Sequence, residues 1–282
     1  MPTVPRILSI AGTDPTGGAG LHADLKSIAA AGGYGMGVVT SLVAQNTTGV
    51  QSLHMPPADF LAAQLDSVLS DVAVDAIKIG MLGTVDNIRV VSEYLPRFRA
   101  RWVVLDPVMI ASSGDHLLDD DAESALRDLC NLADVITPNL PELAVLTSND
   151  QALTLDEAIN QASSFAEFTS SNVIVKGGHL SGKDASNAVV TPGGQVFTVP
   201  SRRVNTTATH GTGCSLSSAL ATRLGAGDSL DDALAWSTGW LHEALEHGEA
   251  LEVGHGHGPV DHGHRGRRLI QSALDAGEPD IV

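Results

Sequence analysis

Short apolar segments alternate with amphipathic segments along most of the chain. Apolar segments without polar alternation are typical of strands that are buried on both faces of a parallel sheet. The predicted strands are 6–11, 36–44, 76–79, 102–105, 135–137 and 173–175. The predicted helices are 19–31, 57–69, 84–95, 122–129, 140–146, 155–168, 213–224 and 230–247. This alternation predicts an α/β fold with a mostly parallel central sheet.

The pattern changes near residue 188, where two short apolar runs flank Pro192-Gly193-Gly194. Glycines between two apolar runs are typical of a hairpin, so residues 188–199 are expected to form one. No linker, internal repeat or low-complexity segment divides the chain. We therefore expect a single domain over residues 1–282, with residues 262–282 as a less ordered C-terminal tail.

The charge and the cysteine content of the chain indicate which binding partners and which cellular compartment to expect. The 282 residues carry a formal net charge of −17. Nucleic acids and anionic membranes bind basic surfaces, so neither is expected as a partner. No apolar run reaches the roughly 18 residues of a membrane helix. The two cysteines, Cys130 and Cys214, lie far apart and indicate no disulfide framework, so a cytoplasmic protein is expected.

The motif His210-Gly211-Thr212-Gly213-Cys214 precedes a run of small residues that predicts a helix. A glycine-rich turn at a helix start leaves backbone N–H groups unpaired and directed at one point, which suits a phosphate. The helix dipole would then favour the thiolate of Cys214. The motif alone is equally compatible with a tight turn before a buried helix that carries an inert thiol.

Polar residues follow the predicted strands. Because the carboxyl ends of parallel strands share one edge of a sheet, these residues should converge on one site. They are Thr13, Asp14, Gln45, Asn46, Lys78, Asp106, Asn139 and Lys176.

Residues 12–20 partly match two phosphate-binding motifs. Gly12 and Gly17 have the spacing of a Walker loop, but Gly18 stands where that loop requires lysine, which excludes it. Residues 18–23 fit a dinucleotide fingerprint. However, the next predicted strand is followed by Gln45 rather than by an acid for the ribose, so NAD is disfavoured.

Three residues after the strands have both a functional and a structural interpretation. The carboxamide of Gln45 offers a donor beside an acceptor, which matches an aminopyrimidine edge, although a solvated loop glutamine is common. Met81 suits the face of a flat heterocycle, or the protein core. Asp106 ends a very apolar strand, so its carboxylate is expected to be solvated in a cleft, paired or bound to a metal.

Two further segments follow the later strands. Asn139 and Glu142 have the spacing of a helix N-cap with its acidic third position, and Glu142 could also act on Mg²⁺ through water. Lys176 precedes two glycines, which suits contact with a phosphate.

Taken together, these segments resemble the ribokinase-like kinases, and more narrowly the hydroxymethylpyrimidine/phosphomethylpyrimidine kinases. The resemblance covers roughly residues 7–260. Each matching motif is weak alone, but their order along the chain is specific. The matching motifs are 11–20, 23–26, 43–47, 78–82, 105–109, 137–142, 175–179 and 209–214.

The resemblance implies a three-layer α/β/α sandwich that transfers the γ-phosphate of ATP. It implies phosphorylation of 4-amino-5-hydroxymethyl-2-methylpyrimidine, and then of its monophosphate, in thiamine diphosphate biosynthesis. It also implies Mg²⁺ as a cofactor and a homodimer as the assembly.

The same resemblance assigns roles to individual residues. The amides of Gly211 and Gly213 would form an anion hole, and Cys214 would take the proton of the substrate hydroxymethyl group. The implied pyrimidine-binding residues are Gly12, Ala19, Asp24, Val43, Gln45 and Met81. The implied ATP-binding residues are Asn139, Lys176, Thr209 and Thr212. The implied Mg²⁺ residues, acting directly or through water, are Asp106 and Glu142.

One position departs from the family pattern. His255 stands where the family has a lysine, so a site that used that lysine would lose a permanent charge and become sensitive to pH. His255, His257, His262 and His264 could ligate a metal, but their glycine-rich surroundings favour a loop of solvated imidazoles.

Three other functions fit parts of the sequence. A pyridoxal kinase of the same family is the nearest alternative, and Gln45 and Met81 favour the aminopyrimidine over pyridoxal as the substrate. A cysteine hydrolase would pair His210 with Cys214, but the sequence predicts no acid or amide that orients His210. A non-catalytic module on a kinase scaffold is disfavoured by the joint presence of Asp106, Lys176 and Cys214.

Overall fold

A computed structural model of the chain describes residues 3–109 and 122–276. The strands are β1 (Arg6–Ala11), β2 (Tyr34–Val39), β3 (Leu42–Asn46), β4 (Gly49–His54), β5 (Ala76–Ile79), β6 (Trp102–Leu105), β7 (Val135–Ile136), β8 (Asn172–Lys176), β9 (Asn187–Val190) and β10 (Val196–Val199). Within these residues, eight strands form one sheet in the order β10-β9-β8-β7-β6-β5-β1-β2. Its strands are parallel from β8 to β2, and β9 and β10 add an antiparallel edge. The mostly parallel sheet and the predicted hairpin at 188–199 are therefore confirmed.

The helices are α1 (Gly20–Ala30), α2 (Ala58–Leu69), α3 (Val85–Phe98), α4 (Ala122–Cys130), α5 (Leu140–Thr147), α6 (Leu155–Thr169), α7 (Thr212–Ala226), α8 (Leu230–Gly248) and α9 (His264–Asp275). Helices α1, α7 and α8 pack together on one face of the sheet, and α2 to α6 cover the other. This is the three-layer α/β/α sandwich that the resemblance implied.

The strands bury both of their faces because neighbouring residues point to opposite helical layers. In β6, Val104 contributes to the core against α7 and α8, whereas Leu105 contributes to the core against α2 to α6. Both side chains are fully buried. Full burial of such a side chain contributes about 1.5–3 kcal/mol, so the continuous apolar runs hold the three layers together.

Several helices begin directly after a polar residue whose side chain caps the first turn. The side chains of Thr84, Thr154 and Ser229 each accept a hydrogen bond from a backbone amide in the first turn of α3, α6 and α8. Helix α7 is capped at its C-terminal end by Gly227, whose φ of 102° favours glycine.

The single strand predicted at 36–44 is wrong. Strand β2 ends at Val39, and β3 belongs to a separate two-stranded hairpin with β4. The chain turns at Thr40 and Ser41, which are both buried. The hydroxyl of Thr40 donates to the carbonyl of Met81 at 2.6 Å, and the amide of Thr13 donates to the carbonyl of Ser41 at 2.9 Å. These contacts turn β3 out of the sheet and over its edge.

The less ordered tail predicted from residue 262 is not what the structure shows over residues 262–276. His262 and His264 are buried, and α9 covers most of this segment. The imidazole of His262 is 2.9 Å from the hydroxyl of Ser215. The rings of His262 and His264 both lie beside the buried indole of Trp240. These aromatic and polar contacts dock the segment on α7 and α8. Residues 277–282 of the predicted tail lie outside the described residues.

Among the residues that the structure describes, no helix combines the length and the apolar character needed to span a bilayer.

Candidate active site

A cavity of about 620 Å³ lies at the carboxyl ends of the parallel strands. It is bounded by the β3–β4 hairpin, the start of α7 and the inner face of α8. It brings together every residue to which the resemblance assigned a role except Asp24, whereas Asp14 and Asn46, which were also expected at this edge of the sheet, do not line it. Those that line it are Gly12, Ala19, Val43, Gln45, Met81, Asp106, Asn139, Glu142, Lys176, Thr209, Gly211, Thr212, Gly213 and Cys214.

The start of α7 has the geometry of an anion site. Gly211 precedes the helix with a φ of 78°, and no side chain caps the first-turn amides. A Cβ at Gly211 would overlap the carbonyl oxygen of Gly18, so only glycine allows the two loops to approach this closely. The uncapped amides of α7 therefore face the cavity beside the loop that follows β1.

Cys214 lies in the first turn of α7 and is half-buried in the cavity wall. The surroundings of the thiol oppose the thiolate that the helix start is expected to favour. Burial, with smaller contributions from the charges of Asp24 and Asp106, raises the pKa of Cys214 to about 11 against the opposing effect of Lys78. Loss of solvation disfavours the charged thiolate, and the two nearby carboxylates disfavour it further.

Asp24 does not line the cavity, which corrects its predicted role in holding the pyrimidine. Its side chain is fully buried and forms an ion pair with Lys78, with Nζ–O distances of 2.8 and 2.9 Å. Ser9 and Ser218 donate to the same carboxylate at 2.6 and 2.8 Å. Burial lowers the pKa of Lys78, but the nearby acidic groups, with Asp24 foremost among them, together outweigh this effect and the pKa is raised overall. Asp24 thus ties α1, the sheet and α7 together beneath the cavity floor.

Asp106 and Lys176 form a second ion pair, in the wall of the cavity. Lys176 Nζ is 3.0 Å from Asp106 Oδ1, which also accepts from the hydroxyl of Thr137 at 3.1 Å. Burial opposes the charge of Asp106, but the charges of Lys176 and Lys78 and the hydrogen bonds from Lys176 and Thr137 together lower the pKa of the carboxyl group. The Lys176 ammonium lies 3.4 Å from the position of a Cβ on Gly213. A cation therefore stands beside the uncapped amides of α7, as phosphate binding requires.

Asn139 and Glu142 confirm the predicted cap and also line the cavity. Each side chain accepts a hydrogen bond of 2.8 Å from the backbone amide of the other, which is a complete capping box at the start of α5. Burial raises the pKa of Glu142 to about 7, with Asp106 adding to the effect and Lys176 opposing it. The charge of Asp106 therefore disfavours the ionised form of Glu142.

The β3–β4 hairpin carries Gln45 and Val43 to the cavity. The register of the hairpin shifts between Ala44 and Gln45, which is a bulge that sequence patterning did not predict. Bulges of this kind re-aim a side chain at a site. Across the cavity, the sulfur of Met81 lies 3.2 Å from the position of a Cβ on Gly12. Glycine at position 12 therefore lets the first loop pack against the thioether.

Sequence reasoning missed the pairing of Asp14 with His210. Asp14 Oδ2 is 2.8 Å from His210 Nε2 and also accepts from the amides of Gly18 and Ala19. Burial opposes the charge of Asp14, but the bonds from His210, Thr16 and Ala19 lower its pKa to about 2. An aspartate followed by a proline and paired glycines commonly accepts amides from its own turn, and this signal was present in the sequence.

An acid therefore does orient His210, against the sequence-based expectation. Within the described residues, however, no hydrogen bond joins His210 to Cys214. The imidazole is committed to Asp14 through Nε2, and its backbone amide donates to Gly258 at 2.9 Å. The arrangement needed for a histidine-activated cysteine hydrolase is therefore not present in this geometry.

The far end of the cavity was not predicted at all. Leu241, His242 and Leu245 of α8 line it, opposite Val204 and Asn187. These residues lie at ordinary core-facing helical spacing, so the sequence offers no signal that separates them from packing residues.

Comparison with known proteins agrees with a phosphate-binding site at this cavity. Residues 14–261 match the family described as phosphomethylpyrimidine kinase. The chain belongs to this family. The thiamine biosynthesis multifunctional protein ThiED of Corynebacterium glutamicum is 62% identical over 272 residues, which are 96% of this chain and 36% of that protein. The hydroxymethylpyrimidine/phosphomethylpyrimidine kinase of Escherichia coli is 48% identical over 91% of this chain and 97% of its own length.

The chain thus spans about a third of the length of the ThiED relatives. Among solved structures, phosphomethylpyrimidine kinase from Clostridium difficile is 33% identical, with a TM-score of 0.75 over 86% of this chain and 99% of that one. Bacillus subtilis pyridoxal kinase, solved in complex with ADP, is 30% identical, with a TM-score of 0.81 over 93% of this chain and 98% of that one. Both share the fold of this phosphomethylpyrimidine kinase family member.

Proposed function

We propose that the chain is an ATP-dependent kinase of thiamine biosynthesis. Its substrates would be 4-amino-5-hydroxymethyl-2-methylpyrimidine and then the monophosphate of that alcohol. The observation that carries the proposal is one cavity that holds the uncapped amides of α7, the Lys176 ammonium and the Gln45 carboxamide. The names of the relatives from E. coli and C. glutamicum support the same pathway.

Phosphoryl transfer depends mainly on positioning and on neutralising charge. The substrate hydroxymethyl oxygen would attack the γ-phosphorus, and the bond from that phosphorus to the bridging oxygen would break and release ADP. The amides of Gly211 and Gly213, together with Lys176, would hold the transferred group. ADP and AMP-PCP complexes of structurally similar pyridoxal kinases support ATP as the donor.

Cys214 is proposed to take the proton of the hydroxymethyl group. At neutral pH its thiolate is a minor species, since its pKa is about 11, and Lys78 is the cation that stabilises it. A loose transition state lets the proton leave late, so a small thiolate population is compatible with turnover. We expect Cys214→Ala to lower kcat by at least about tenfold and to leave ATP affinity within about twofold. Turnover near that of the wild type would remove the thiol from the mechanism.

Asp106 and Glu142 are proposed to hold Mg²⁺, directly or through water. They fit the ion because Mg²⁺ in nucleotide sites uses one or two carboxylates, substrate phosphates and several waters. Burial and, to a smaller extent, the charge of Asp106 raise the pKa of Glu142, and a divalent cation would offset both effects. When bound, Mg²⁺ supplies positive charge to the phosphate oxygens.

The deciding experiment measures ATP consumption with the pyrimidine alcohol, its monophosphate and pyridoxal side by side. We expect both pyrimidines to be phosphorylated with higher kcat/KM than pyridoxal, because the Gln45 carboxamide matches an aminopyrimidine edge. Pyridoxal is the second candidate because pyridoxal kinases share the fold at 29–30% identity. A higher kcat/KM for pyridoxal would overturn the pyrimidine assignment.

We also propose a homodimer, which the family resemblance supports. Sedimentation equilibrium of the purified chain would test it, and a monomer at micromolar concentration would contradict it.

A further inference from the structure

The tip of the β3–β4 hairpin is bound by a glycine-rich loop from the other end of the chain. We call residues 254–259 the glycine loop. Its backbone amides at His255 and Gly256 donate to Thr47 Oγ1 at 3.2 and 3.1 Å, and the amide of His257 donates to the Thr47 carbonyl at 3.0 Å. One nearly buried threonine thus accepts three hydrogen bonds from a segment more than 200 residues away.

Two glycines are required for this approach. Gly254 has a φ of 74°, and a Cβ there would overlap the Thr47 side chain. A Cβ at Gly256 would overlap the Thr47 carbonyl oxygen. The side chain at position 255 is exposed and does not line the cavity, so the loop acts here through its backbone rather than through the histidine.

The same loop continues to the anion-binding turn. The carbonyl of Gly258 accepts from the amide of His210 at 2.9 Å, and His210 forms an isolated parallel bridge with Pro259. His210 immediately precedes Gly211 at the start of α7. A continuous path of backbone contacts therefore joins the hairpin tip to the turn that would hold the phosphoryl group.

We propose that Thr47 is a positioning residue, which through the glycine loop fixes Gln45 relative to the anion-binding turn at Gly211–Cys214. Thr47 lies two residues after Gln45, and the hairpin is not part of the central sheet. The glycine loop therefore supplies an anchor at the hairpin tip that the sheet does not. The inference rests on the proposed function, because it assigns Gln45 to the pyrimidine.

The first test is steady-state kinetics of the full chain with the pyrimidine alcohol and ATP. Thr47→Val keeps the shape but removes the acceptor, and we expect the KM for the pyrimidine to rise by about five- to tenfold. Tenfold corresponds to about 1.4 kcal/mol, within the range of one or two neutral hydrogen bonds. The KM for ATP should stay within about twofold, since Lys176 lies on β8 of the central sheet, which is separate from the hairpin.

Two control variants separate this contact from general damage. Thr47→Ser keeps the hydroxyl and should restore a KM close to that of the wild type. Thr48→Val makes the same change at the neighbouring exposed threonine, whose hydroxyl bonds Asn46 instead, and should leave both KM values unchanged. An unchanged KM for the pyrimidine in Thr47→Val, or an equal rise in the KM for ATP, would overturn the proposal.

A second pair of variants changes the glycine loop, which is the other partner in the contact with Thr47. Gly256→Ala should push the hairpin tip away and raise the KM for the pyrimidine as Thr47→Val does. Gly258→Ala is its matched control, because a Cβ at that position has no neighbour closer than 3.8 Å. Should Thr47→Val fail to fold, this pair decides the question: equal KM values for the two alanine variants would refute the role of the contact.

Amide hydrogen exchange tests the anchor without any substrate. In Thr47→Val, the amides of residues 255 and 256 should exchange at least about tenfold faster, while those of central strand β6 stay protected. Unchanged exchange at 255 and 256 would overturn the inference. A wild-type chain that fails to phosphorylate the pyrimidine would instead refute the proposed function, so the two failures are distinct.

Discussion

At the scale of single residues, the environment of Cys214 differs most from what its motif suggests. A helix start lowers the pKa of a thiol, but solvent loss and two nearby carboxylates act in the opposite direction. The sequence shows the helix start and shows neither the burial nor the neighbours. The balance of these effects decides whether the side chain meets its substrate as a thiol or as a thiolate.

The thiol state can be measured directly by alkylation. We expect the rate of iodoacetamide reaction at Cys214 to rise steeply above pH 9 and to reach half its maximum near pH 11, where the pKa lies. At pH 7 the reaction should be at least about tenfold slower than with free cysteine, since little thiolate is present. Mass spectrometry of the labelled peptide distinguishes Cys214 from the fully buried Cys130. A half-maximal rate near pH 7 would show that the helix start prevails.

The buried pair of Asp24 and Lys78 predicts a stability effect. Lys78→Met leaves the Asp24 carboxylate buried without its cation, so we expect a loss of about 3–5 kcal/mol in the free energy of unfolding. Adding Asp24→Asn should recover at least half of that loss, because the uncompensated charge is removed. Urea denaturation measures both.

The exposed ion pair of Arg6 and Asp75 provides the matched control. Its side chains are 44% and 32% exposed, so Arg6→Met should cost less than about 1 kcal/mol. Equal costs for Arg6→Met and Lys78→Met would show that burial of the Asp24–Lys78 pair has no energetic consequence.

At the scale of elements, the capping box of α5 uses a residue that also belongs to the candidate active site. Glu142 closes the first turn through the amide of Asn139 and also faces the cavity with a pKa of about 7. A carboxyl group whose pKa is raised by folding binds its proton more tightly in the native state. Its contribution to stability is therefore complete below its unfolded pKa near 4.5 and is lost as the pH rises through about 7.

Glu142→Gln should remove this pH dependence, because glutamine resembles the protonated acid and can still accept the Asn139 amide. Without divalent cations, we expect the free energy of unfolding of the variant, relative to the wild type, to increase by about 2–3 kcal/mol between pH 4.5 and pH 8. Glu157→Gln is the matched control for loss of a glutamate in a helix first turn, since Glu157 occupies the corresponding position of α6. A difference that does not change with pH would contradict the assigned burial effect.

Sequence patterning predicted most of the elements because the parallel strands are continuously apolar. It failed at the turn of Thr40 and Ser41, where two polar residues are buried by contacts with distant segments. It also missed β4, whose residues are largely exposed and carry no apolar run. Such features depend on tertiary contacts rather than on local periodicity.

For the candidate site, too, local sequence patterns predicted some features, whereas others depend on tertiary contacts. Glycine-rich turns and strand ends placed most of the predicted residues at one cavity, since parallel topology brings strand ends together. The role implied for Asp24 failed because its pairing with Lys78 joins two positions 54 residues apart. The far wall on α8 gave no signal, because residues that face a cavity and residues that face a core have the same helical spacing.

At the scale of the whole molecule, the net charge is negative, whereas the cavity proposed to bind ATP contains positive charges. The chain carries a net charge of −17, yet two of its four lysines, Lys78 and Lys176, line the cavity. The long-range field therefore repels an anionic nucleotide, while the local field inside the cavity attracts it. Salt screens the distant charges of the surface more strongly than the partly buried pair at Lys176.

This imbalance predicts an unusual dependence on ionic strength. As tetramethylammonium chloride is raised from about 10 to 150 mM, the KM for ATP should fall by about twofold, because screening removes surface repulsion first. The pyrimidine alcohol is uncharged, so its KM, measured in the same assays, should stay constant and serves as the internal control. A steady rise in the KM for ATP over this range would mean that attraction by Lys176 dominates at all distances. A parallel change in both KM values would point to an effect of salt on the fold rather than on nucleotide binding.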